Sequence, residues 1–66
     1  MVKNLSDYGL AIKMRLLELG KSQEWLIEQV ESRTGLYFDS GYMHKVLCGT
    51  AKSENILTAI NEILGI

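Results

Sequence analysis

The sequence predicts an all-α domain of four helices, or five, within 66 residues. Three observations lead to that class. Apolar residues recur at helical spacing in four segments. A glycine stands just after each segment, at Gly20, Gly35, Gly49 and Gly65, where a left-handed residue commonly ends a helix. A short polar residue stands just before each, where its oxygen can accept from the free N–H groups of the first turn. A chain of this length is one domain, 1–66. It buries only about 60% of the surface of its unfolded form, so stability is expected to be marginal.

Residues 1–5 are expected to fray. Ser6 or Asp7 caps the first helix, which runs to about Leu19. Ile12, Leu16 and Leu19 fall on one face, flanked by Ala11 and Met14. Lys13 and Arg15 point elsewhere. Ser22 caps the second helix, which starts at Gln23 and turns Leu26 and Val30 inward, with Trp25 and Ile27 beside them. Glu-Ser-Arg-Thr at 31–34 can continue this helix as far as Gly35. Leu36 would be the apolar residue after the cap. The connector 31–39 ends in Gly-Leu-Tyr-Phe-Asp, read as a loop or a very short extended segment, with Tyr37, Phe38 and Tyr42 forming a satellite core beneath it. Asp39 or Ser40 caps the third helix, 40–48, whose inward residues are Met43, Val46 and Leu47. Ser53 caps the last. Ile56, Ile60 and Ile63 share one of its faces, and Leu57 and Leu64 widen it.

Composition excludes several classes. The single cysteine, Cys48, permits no disulfide within the chain and fits a reducing compartment. The N-terminus has no apolar signal core, and the apolar runs are too short to span a bilayer. The expectation is a cytoplasmic protein. No nucleophile–base–orienter set, phosphate loop or metal cluster is visible, so neither enzyme activity nor a cofactor is expected. His44 and Cys48 share a helix face, but two ligands do not make a zinc site. Net charge is −1, whereas nucleic-acid binders usually carry a basic excess. The distribution is less adverse: Arg33, Lys45 and Lys52 stand against Asp39 between positions 33 and 53. Glu24, Glu28, Glu31, Glu54 and Glu62 lie on the second and last helices.

Several motifs together resemble a known family. LLELGKSQEWLIEQV is similar to the opening of the Cro/CI-type helix-turn-helix domains of phage and bacterial regulators, in which a helix ends at glycine and a Ser-Gln or Thr-Gln pair opens the next. Leu26 and Val30 match core positions of that family. YMHKVLCG resembles its recognition helix, through Met43, Val46 and Gly49, and SENILTAINEILGI its closing helix. The resemblance covers residues 9–66, and its specificity lies in the order and spacing of short motifs. TGLYFDSGYMHKVLCG is also similar to small regulators of Gram-positive phages and mobile elements with a lengthened connector. There are three departures. The connector exceeds the common turn of three or four residues. Ile27 stands where alanine is usual. Many members carry a fifth helix, which helps them dimerise, beyond the point corresponding to Ile66.

The resemblance implies a lambda-repressor-like fold and a sequence-specific transcriptional regulator. Such a protein binds double-stranded operator DNA as a homodimer and represses by occupying it. It implies that Gln23 contacts the DNA backbone, where the positive end of the second helix favours a phosphate. Residues at the outward N-terminal side of a recognition helix reach base edges. That assigns Ser40, Gly41, Tyr42, His44 and Lys45, with Thr50 and Lys52 in the following turn as phosphate contacts. Ile56, Ile60, Ile63, Leu64 and Ile66 offer more apolar width than a small core needs and are expected to line a dimer interface. The competing expectation, drawn from the acidic net charge and the long connector, is an adaptor or antirepressor that captures another phage regulator. No membrane or small-molecule partner is expected.

Overall fold

In a computed structural model, residues 6–66 are described; the fraying expected of residues 1–5 lies outside them. Four helices follow one another: α1 Asp7–Leu19, α2 Gln23–Thr34, α3 Ser40–Cys48 and α4 Glu54–Leu64. The architecture is all-α, with no strand among the described residues. None of these helices is long and apolar enough to cross a membrane.

Local chemistry sets the ends. The Ser6 hydroxyl accepts from the Gly9 N–H at 2.9 Å, the Ser22 hydroxyl from the Trp25 N–H at 3.1 Å, and the Asp39 carboxylate from the Tyr42 N–H at 2.9 Å. Each satisfies one donor that a helix start leaves free. Ser53 holds the corresponding position before α4 but makes no side-chain capping bond. All four helices close on a glycine in the left-handed region.

The core gathers Ile12 and Leu16 from α1, Leu26 and Val30 from α2, Met43, Val46 and Leu47 from α3, and Ile56, Ala59, Ile60 and Leu64 from α4. Phe38 joins them at 1% exposure. It is a main core residue rather than part of a satellite, because the connector dives inward between α2 and α3. The Glu31 carboxylate accepts from the Phe38 N–H at 3.3 Å and steadies that entry. Residues 31–34 continue α2 to its cap at Gly35, as the sequence allows, so the connector is Gly35 to Asp39 and shorter than the full 31–39.

On α1 the expected inward face is only partly observed. Ile12 and Leu16 are buried, but Leu19 is 38% exposed and Met14 56% exposed, and Ala11 is exposed too. Gly20 ends the helix and turns the chain towards α2, which leaves Leu19 only partly covered. Gly9, inside α1, is where this helix meets α3. A Cβ there would lie 2.0 Å from the Leu47 carbonyl oxygen, so only glycine permits the approach. Across the same contact the Ser6 backbone N–H and hydroxyl both donate to that oxygen at 2.9 Å. Gly49, at φ +81°, completes the junction, its would-be Cβ 3.0 Å from the Ser6 Cβ.

Polar bridges tie α4 to the rest. Arg15 Nε donates to the Leu64 carbonyl at 2.7 Å, and the Tyr8 hydroxyl donates to Asn61 Oδ1. Arg33 pairs with Glu62 at 2.7 Å.

Candidate nucleic-acid interface

The α3 sequence sorts its residues by side. Met43, Val46 and Leu47, spaced three and four apart, face the core. The same periodicity turns Gly41, His44 and Lys45 away from the core, and Ser40, on nearly the azimuth of Leu47 but in the first turn, is exposed as well. A helix of 9 residues is too short to persist alone. It is held by the Asp39 cap, by the Ser6–Leu47 junction and by Phe38, whose ring lies 5.5 Å from that of Tyr42 at 60°. Tyr42 is consequently half-buried, its ring forming the edge of the core.

Asp39 shapes the electrostatics of the α3 start. Its carboxyl is held below the ordinary range, first by the Tyr42 backbone N–H and then by the Tyr37 hydroxyl, which donates to it at 3.0 Å. The same bond and the adjacent negative charge push the Tyr37 hydroxyl up. A carboxylate thus already occupies the positive end of α3. Gly41 is not demanded by packing: among the described residues a Cβ there would meet only the Asp39 carboxylate oxygens, at an ordinary 3.5 Å and 4.0 Å.

At the other end of α3, the Thr50 hydroxyl donates to the Lys45 carbonyl at 3.3 Å, which engages the donor expected to clamp a phosphate. Lys52 is exposed in the turn that follows. Among the described residues neither Lys45 nor Lys52 is in an ion pair. Arg33, counted with them from the sequence, is committed to Glu62 between α2 and α4. His44 Nε2 lies 3.5 Å from Cys48 Sγ, and among the described residues no group of three metal-ligating side chains exists.

Gln23 is exposed at the first turn of α2. It lines an open cleft with Lys13, Leu16, Leu17 and Lys21, and Lys21 Nζ sits 5.4 Å from the centroid of the Trp25 ring. Two lysines therefore accompany Gln23 that the sequence reading did not associate with it. Lys21, two residues before Gln23, is a signal that could have been read; Lys13 comes close only because α1 and α2 meet at the cleft.

The residues expected to line a dimer interface divide. Ile56, Ile60 and Leu64 are 3%, 0% and 1% exposed within a single chain, so they cannot meet a second copy while the fold is intact. A four-helix core of this size consumes the whole central face of α4. Ile63 is half-buried, and Ile66 is exposed.

Comparison with protein-family models, with curated proteins and with solved structures finds no match. By fold and surface chemistry the chain is a small all-α four-helix domain with a short, polar-faced third helix.

Proposed function

We propose that this chain is a cytoplasmic, sequence-specific DNA-binding regulator of the Cro/CI type, repressor-like and of phage or mobile-element kind, that reads the major groove with α3. The observation that carries the reading is the two-sidedness of α3. Its inner side is locked to the core, while Ser40, Gly41, His44 and Lys45 project to solvent. Lys45 can pair with guanine or phosphate, and Ser40 can donate or accept. Gly41 lets the backbone approach a groove closely. Gln23, with Lys21 beside it, suits a phosphate at the start of α2. In a homodimer two such helices, about 34 Å apart, would meet half-sites one turn apart.

A gel-shift series against phage operator fragments at low salt tests the proposal. A folded protein that binds none of them refutes it. A second reading, capture of another regulator, is favoured by Glu24 and Glu28, both exposed on α2, and by the carboxylate at the start of α3. Co-purification with a repressor, without DNA affinity, would select it.

A further inference from the structure

The side of α1 turned away from the core is apolar. Leu10, Met14 and Leu17 are 47%, 56% and 82% exposed, left uncovered by the described residues. Their spacings of four and three residues are those of a coiled-coil seam. With Leu10 and Leu17 as d positions and Met14 as a, Lys13 falls at g on one edge of the seam. Glu18, five residues on, falls at e on the other edge.

That placement selects an occupant. When two copies of α1 lie parallel, the g edge of each meets the e edge of the other, and Lys13 of one copy faces Glu18 of its partner twice by symmetry. An antiparallel pair sets the Lys13 edge against itself and the Glu18 edge against itself. Glu18 already touches Arg15 at 3.3 Å, but on an exposed surface, where such a pair contributes little and exchanges readily. The buried face of α4 is not available for the same purpose.

We infer that α1 pairs in parallel with α1 of a second copy through Leu10, Met14 and Leu17, with Lys13 and Glu18 setting the direction. The seam is short against the ~800 Å² per partner of a stable interface, so the dimer is weak and dissociates on dilution. The inference goes beyond DNA binding and is tested without DNA.

Sedimentation equilibrium of the full chain, up to about 1 mM, the range of weak association, should show a monomer–dimer equilibrium. Leu17→Ala, at a side chain that leaves the core untouched, should raise the dissociation constant about 10-fold while the thermal midpoint of the diluted monomer stays the same. K13E and E18K should each weaken association several-fold, and the double variant K13E/E18K should recover wild-type association. A chain that is monomeric throughout overturns the inference. So does a dimer indifferent to Leu17→Ala, or a double variant no better than the single ones.

Discussion

Gly9→Ala is the most telling perturbation, because helix propensity and packing make opposite forecasts for it. Propensity alone favours alanine in a helix interior by about 1 kcal/mol. Packing opposes it. The added Cβ would lie 2.0 Å from the Leu47 carbonyl oxygen, 2.7 Å from its carbon and 2.8 Å from the Leu47 Cα. A carbon–oxygen contact needs about 3.3 Å, so α1 and α3 must separate by roughly 1.3 Å. Every atom met is backbone, so no side-chain rotation relieves the clash. Overpacking of this kind costs about 3 kcal/mol. Separation also lengthens the two hydrogen bonds from Ser6 to Leu47, each contributing about 1 kcal/mol. Subtracting the propensity gain leaves a net destabilisation of about 4 kcal/mol. At roughly 0.05–0.15 kcal/mol per residue, this chain has only about 3–10 kcal/mol in total. Thermal and urea unfolding followed by circular dichroism should therefore show a midpoint at least ~15 °C lower, or no folded baseline at all. A midpoint unchanged or raised would refute the reasoning and show that the α1–α3 approach is looser than described. Gly41→Ala is the matched control: with only an ordinary 3.5 Å contact to meet, it should leave stability unchanged or slightly higher.

Further outcomes follow from the same structure. Phe38→Ala should cost about 3–5 kcal/mol in urea unfolding, as expected for a fully buried aromatic side chain, whereas a loss under ~1 kcal/mol would return Phe38 to the loop. Ser22→Ala should cost about 1 kcal/mol, but Ser53→Ala much less, since only the first makes a capping bond; equal losses would contradict the assignment. The Asp39 carboxyl is held below its ordinary value in the fold, so its contribution is fully present above the unfolded value of about pH 3.9. It is lost as pH falls through the lower folded value. Asp39→Asn keeps a cap acceptor and should flatten that part of the acid-unfolding curve; an identical curve would reject the cap's role. If the chain binds operator DNA as proposed, Lys45→Ala should weaken it and reduce the slope of log affinity against log salt by about 0.9, the share of one phosphate contact. An unchanged slope would reject that contact.

The sequence by itself determined the four helices and nearly all their ends. Ser6, Ser22 and Asp39 accept from N–H groups only three residues away, and each closing glycine adopts a locally defined left-handed turn. Spacing likewise placed Met43, Val46 and Leu47 inward on α3, and with them the polar outer face. Tertiary structure alone decided matters that depend on distant partners. Gly9 carries no helical signal; its need is visible only when the Leu47 carbonyl lies against it. Phe38 enters the core because the gap between α2 and α3 must be filled. Leu19 and Leu17 are as apolar as Leu16, yet only Leu16 points where other helices supply contacts. The apolar width of α4, open in the sequence to two uses, is largely absorbed within the chain, because a domain of 66 residues has little other surface with which to close its core. The seam left open on α1 is the complement of that outcome: periodicity marks where apolar side chains lie, and only the assembled neighbours determine which of them are covered.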